Sequence, residues 1–191
     1  MVPLAVYVLI HLGSYARVLF GGSQFGSGQG SGFEFVLELG LVWLPLGFHT
    51  AYGAWLTTQP SEHEGAERRR TLLLRASGAG ALCFLLYHAA WLRLPILRGE
   101  RGPEDAANML AAGLSTTQWG VPIPAVLHLL GLGVVSAHLA GGLSRFFEKW
   151  RLASAVGAQR VARALSIALF ALGSAAVVEL ATGSALPNFV R

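Results

Sequence analysis

Five long runs of nearly uninterrupted apolar residues, at about 1–20, 35–57, 72–96, 122–144 and 161–183, constrain what this chain can fold into more than any other feature. A helix rises about 1.5 Å per residue, so about 20 such residues cross the ~30 Å hydrocarbon core of a bilayer. Lipid offers no partner for a backbone N–H or C=O. A run of this length therefore closes its hydrogen bonds internally as a helix, and Gly or Pro inside it does not argue otherwise. Composition agrees: 53% of residues are hydrophobic and only 13% charged, with a mean hydropathy of +0.54, where a soluble domain carries about 25% charged residues. The first run has no basic leader and no small-x-small cleavage site followed by polar sequence, so it reads as a true span, not a signal peptide. The expected architecture is an all-α integral membrane protein of five transmembrane helices, one domain over residues 1–191, with the first four helices forming a bundle.

The connections differ in character. Residues 21–32, "GGSQFGSGQGSG", make an uncharged flexible loop; residues 59–70 are strongly charged; residues 98–120 are long and mixed, and are expected to be partly helical along the surface. Residues 144–163 are basic. Arg68, Arg69, Arg70, Arg75, Arg145, Lys149, Arg151, Arg160 and Arg163 lie after the second and fourth runs, against Arg17, Arg93, Arg98, Arg101 and Arg191 on the other side. The positive-inside rule then puts the N-terminus and the basic loops in the cytoplasm. Trp55 and Trp150 fall near the inner interface, Trp91 and Trp119 near the outer one. The small excess of base over acid, 14 against 10, is a matter of topology and not a nucleic-acid signal. The single cysteine, Cys83, excludes an intrachain disulfide and any cysteine-based cluster or zinc site.

Histidine carries the chemistry. Of the 6 histidines, His63 lies in a loop beside Glu62 and Glu64 and reads as solvated; His11, His49, His88, His128 and His138 lie within the apolar runs. A polar ring in hydrocarbon is costly, and each one is a functional candidate. His11 and His88 lie about 9 and about 8 residues before the outer ends of their runs, and His49 and His138 about 8 and about 6 before the inner ends. That makes two layers, His11 with His88 and His49 with His138. Two levels of paired imidazoles inside a four-helix bundle are what two stacked haems need. A haem with both axial positions filled suits electron transfer and not oxygen chemistry. Gly13 and Ser14, Gly47 and Gly53, Gly78 and Gly80, and Gly141 and Gly142 surround these histidines and would give a flat macrocycle clearance, although small residues also serve close helix packing.

A structural zinc site would gather four ligands at one level, and these histidines split two and two. A proton-translocating array would include several buried carboxylates, and only Glu38 and Glu179 qualify. His128 lies on the same helix as His138, about 15 Å further outward and turned by about 80°. By depth it competes with His11 or His88 for the outer level, and the residues alone leave that open.

Several stretches resemble one family, the di-haem cytochrome b (b558-type) membrane anchor of succinate dehydrogenase and quinol:fumarate reductase. "LIHLGSY" resembles its first ligand region, and "PLGFHTAYGAWL" its second-helix P-x-x-F-H-x-x-Y-G signature. "RASGAGALCFLLYHAAWLR" resembles the third-helix pattern, "HLAGGLSRF" the fourth-helix H-x-x-x-G-L/M pattern, and "GAQRV" the opening of the fifth. The resemblance implies two haem b groups with His11, His49, His88 and His138 as axial ligands to iron, helix one paired with three and helix two with four. It favours His138 over His128, because His138 alone carries the downstream "GGL", and leaves His128 for a haem-edge, propionate or quinone-side contact.

The same resemblance implies a bacterial cytoplasmic membrane and an electron-transfer and anchoring role, without dicarboxylate chemistry of its own. A cytoplasmic iron–sulfur subunit and a flavoprotein would be partners, and a quinone, menaquinone by analogy, the membrane substrate. Arg17, Arg93 and Arg145 would be propionate partners, and Glu38 and Glu179 quinone-side or proton-path candidates. Family members carry a further polar or basic stretch before the position of Pro3, so the true start is expected upstream of Met1 or this branch is trimmed. Two rivals are a b561-like or hydrogenase/formate dehydrogenase cytochrome and a haem-free five-span transporter. The first distributes its histidines over other helices. The second gives no reason for two paired layers.

Overall fold

The computed structural model describes residues 4, 6–8, 11, 39–60, 64–102 and 106–182. Among them a π-helical turn, Leu39–Trp43, leads into α1 (Leu44–Thr58), followed by α2 (Gly65–Leu97), α3 (Ala106–Leu114), α4 (Ile123–Lys149) and α5 (Ala155–Thr182). Three of these, α2, α4 and α5, are long and apolar enough to cross a membrane; they coincide with the expected runs 72–96, 122–144 and 161–183. The run at 35–57 is described from Leu39 onward as the π turn and the 15 residues of α1. Residues 4, 6–8 and 11 of the first run are helical. Arg17, Glu38, His63 and the 21–32 loop lie outside the described residues.

Without a hydrophobic drive between helices in lipid, association rests on close packing and on polar contacts. The buried face of α5 shows the first device: Ala158, Ala162, Ser166, Leu169, Gly173, Ala176 and Leu180 recur at three- and four-residue spacing. This mostly small stripe seats α5 on α4, the most extensive helix contact in the fold. The next most extensive joins α4 to α2 in an antiparallel register. Along that register Arg70 meets Ser144 and Glu148, Gly78 meets His138, Phe84 meets Gly131, and His88 meets His128.

The connection between α2 and α4 differs from its expected place on the surface. Its helix α3 buries Leu110, Ala111 and Leu114, the last with no exposure at all, in a cluster with Leu92, Ala125 and Leu180. The apolar composition of "AANMLAAGL" is the reason. Gly113 admits the ring of Trp91, which occupies the space a Cβ would fill. Trp91 therefore packs inward against α3. Beyond α3, Trp119 (φ 53°) and Gly120 (φ 77°) close a tight turn between Gln118 and Val121, with both central residues in the left-handed region such turns require. The turn leaves Trp119 93% exposed, as an interfacial aromatic needs.

At the opposite end, outside the apolar stretches, α2 and α4 are clamped by charge. Arg70 donates to both carboxylate oxygens of Glu148, at 3.1 and 3.0 Å, and to Ser144 Oγ at 2.8 Å. Ser144 Oγ donates to Glu148 at 3.0 Å, and Arg145 donates to Glu67 and Thr71, each at 2.8 Å. This clamp explains why α2 begins at Gly65, inside the charged stretch expected to be a loop: residues 67–71 are held helical by partners on α4. The Arg70 and Glu148 side chains are only 29% and 26% exposed, and a bidentate charge-assisted pair of this kind is stronger than an open surface pair.

Hydrogen bonding from Arg70 holds the Glu148 carboxyl below its ordinary value of 4.5. Its contribution to stability is therefore complete above that value and is lost as pH falls through the lower, folded value. Glu148→Gln is expected to cost about 1 kcal/mol near neutral pH, read as a lower thermal midpoint in detergent. The gap to the unmodified protein should close on acidification below pH 4.5; a gap that persists there would mean the clamp is not ionic.

Candidate functional site

The intramembrane histidines meet at two levels, with His88 on α2 and His138 on α4 set apart by the antiparallel register of those helices. At one, the rings of His49 on α1 and His138 on α4 have centres 5.9 Å apart. At the other, His11 and His88 on α2 have centres 6.2 Å apart. Ten residues of α4 separate the levels marked by His138 and His128, about 15 Å along the helix. The pairs expected from depth, His11 with His88 and His49 with His138, thus have facing rings, and His128 lies nearer still to His88, with ring centres 5.4 Å apart. Among the described residues no group of three or more His, Cys, Asp or Glu could hold a metal ion.

The ring nitrogens differ in how they are used. His138 Nδ1 lies 3.3 Å from the carbonyl oxygen of Leu74 and 3.4 Å from Ser77 Oγ, whose own hydroxyl donates to the same carbonyl at 3.1 Å. A carbonyl only accepts, so the proton of neutral His138 is on Nδ1 and Nε2 keeps its lone pair. His88 Nδ1 faces His128 Nε2 at 3.2 Å, and His128 Nδ1 donates to the carbonyl oxygen of Pro124 at 2.8 Å. The Tyr7 hydroxyl lies 3.4 Å from His11 Nδ1, its ring stacked on the imidazole at 5.3 Å.

The ring separations at both levels suit an iron held between two imidazoles. Two imidazoles on opposite sides of one iron have ring centres about 6 Å apart, from two metal–nitrogen bonds of about 2 Å and about 1 Å from each nitrogen to its ring centre. Both observed pairs match. Gly78 stands against the His138 ring, where a Cβ would lie 3.0 Å from Cε1, and nothing approaches within 4 Å of a Cβ built on Gly47 or Gly53 beside His49. Gly80 and Gly141, expected to give clearance, instead receive Val134 and Leu74 and serve helix packing.

His128 is the most enclosed of the group at 4% exposure. Phe84, Tyr87, His88 and Trp91, on one face of α2, surround its ring with centres at 5.6, 5.6, 5.4 and 5.2 Å. Spacing alone could have signalled this cage, since positions 84, 87, 88 and 91 share a helical face. Other functional groups had no signal of their own: the Leu74 carbonyl, Ser77, and the clamp of Glu67, Arg70, Thr71, Ser144 and Glu148.

The remaining candidates fall further out. Arg93 is exposed on α2, Glu179 is half-buried near the end of α5, and Arg145 is engaged with Glu67 and Thr71.

Over its length the chain is similar to the succinate dehydrogenase cytochrome b558 subunit of Bacillus subtilis (strain 168). The two are 25% identical over 180 residues, which cover 89% of this chain and 84% of that subunit. The resemblance seen in the separate motifs is thus borne out along nearly the whole sequence. No family model matches the chain, and no solved structure does.

Phe84 rests where a Cβ on Gly131 would lie, with its ring against both His88 and His128. Gly131→Val is expected to cost about 1–3 kcal/mol through overpacking, read as a lower unfolding midpoint in detergent. Phe84→Ala in the same chain should recover part of that loss; strictly additive losses would show that ring and glycine are not opposed.

Proposed function

We propose that this chain is the membrane-anchoring cytochrome b subunit of a succinate:quinone oxidoreductase, with His11 and His88 as axial ligands of an outer haem b and His49 and His138 as those of an inner one. The observation that carries the reading is the pair of ring separations, 6.2 and 5.9 Å, at two depths of one bundle. Held by these four histidines, haem b would supply one-electron transfer between a cytoplasmic iron–sulfur subunit and membrane quinone.

The chain's own residues orient and enclose. Leu74 O and Ser77 Oγ fix the tautomer of His138 so that Nε2 remains for iron. Gly47, Gly53 and Gly78 leave room beside the inner pair. Arg68, Arg69, Lys149, Arg151, Arg160 and Arg163 are exposed on the basic side, where the iron–sulfur subunit, and beyond it the flavoprotein, would dock with the N-terminus of this chain in the cytoplasm. Arg17 and Arg93 are assigned to outer propionates. Both bonds of Arg145 leave from Nη2, and a guanidinium carries five N–H donors, so an inner propionate contact is compatible with the clamp. Glu38 and Glu179 are assigned to the quinone side or a proton path, with menaquinone as the quinone.

Pyridine-haemochrome quantitation of the purified subunit is expected to give about two b haems per chain with low-spin bands. His49→Ala and His138→Ala should each remove one and leave the other. A folded sample with no haem overturns the proposal.

A further inference from the structure

The one intramembrane histidine left out of both pairs has both of its ring nitrogens engaged. The Pro124 carbonyl can only accept, so the 2.8 Å contact puts the proton of His128 on Nδ1. Neutral His128 then has a bare Nε2, and the 3.2 Å contact to His88 Nδ1 has one consistent direction: His88 Nδ1–H donates and His128 Nε2 accepts. His128 has no nitrogen left for a metal, and His88 is left with Nε2 as its one unprotonated nitrogen. The surrounding rings of Phe84, Tyr87 and Trp91 hold His128 in this orientation.

We infer that His128 is the positioning residue of the outer haem site: by accepting the Nδ1 proton of His88 it fixes the tautomer and ring orientation of that ligand and raises the basicity of its Nε2. The inference rests on the reading of His88 as an axial ligand. Outer partners of ligating histidines act in this way generally, and their loss costs on the order of 10–100-fold in affinity for the metal group. The inner level does the same work with a backbone carbonyl and a hydroxyl. A ring nitrogen is the more basic acceptor, so the outer ligand carries more imidazolate character and favours oxidised iron.

The test compares His128→Phe, which keeps a ring in the cage and removes the acceptor, with His128→Gln, whose side-chain carbonyl can replace it. His128→Leu serves the same comparison if the Phe ring crowds the cage. Each is made in the full chain in its native membrane and read by haem count, redox titration and low-spin electron paramagnetic resonance. The expected result for His128→Phe is a raised midpoint potential and an altered low-spin signal for one haem, with the second unchanged and retention of the first weakened on the order of 10–100-fold. His128→Gln should lie close to the unmodified protein. An unmodified protein with two low-spin haems and a His128→Phe variant identical to it overturns this inference and leaves the proposed function standing. Loss of the low-spin outer haem in both Phe and Gln variants makes His128 itself a ligand, which also overturns it. No haem in the unmodified protein removes the proposed function, and this inference with it.

Discussion

An imidazole carried into hydrocarbon brings two nitrogens and finds no water to satisfy either, and the bundle is organised around that requirement. His128 meets it entirely with protein, one nitrogen on Pro124 and one on His88. His138 and His88 meet half of it with protein, through Leu74 and Ser77 in one case and His128 in the other. Each is left with one nitrogen at the level of a facing ring about 6 Å away. A nitrogen left in that position in lipid is costly unless something binds it.

The arrangement holds only in one register of α2 against α4. One residue of slip on a helix turns every side chain by about 100°, which would separate Gly78 from His138 and His88 from His128 together. The register is pinned from both ends. Arg70, Ser144 and Glu148 lock the basic end through directional, charge-assisted bonds. Trp91, seated on Gly113 of α3, fills the other. Between them Phe84 lies on Gly131 with a fit that a single methyl group would disturb. The histidine levels thus depend on the distant clamp at Arg70 and Glu148 as well as on the Phe84 and Trp91 rings packed against His128.

The transmembrane helices α2, α4 and α5 were legible because lipid admits so few structures that apolar length alone identifies them. The depth of each histidine was legible for a related reason: residue number along a helix converts directly to height. Rotation about the helix axis and the choice of partner do not convert in that way. Charges at 67, 70, 145 and 148 look alike whether they face solvent or one another, so the α2–α4 clamp was missed, and with it the true start of α2. The segment at 106–114 was placed on the surface, because its burial depends on a Trp91 ring that only the folded register delivers to Gly113. Trp91 itself carries the composition of an interfacial residue and packs inward.

His128 shows most plainly where sequence reasoning ends. Its depth made it a rival of His11 and His88, and its angle of about 80° from His138 left both able to face the interior. Ligand and supporting residue cannot be told apart by residue type, since both are neutral imidazoles in an apolar helix. They are told apart by what remains after local bonds are made. The carbonyl of Pro124, one turn before His128, takes one nitrogen; the neighbouring ring on α2 takes the other. On this assignment α4 contributes directly to the inner level through His138 and indirectly to the outer level through His128. On the same assignment the two levels become chemically unequal, His138 backed by a carbonyl and His88 by an imidazole, and the difference is set by the single side chain of His128.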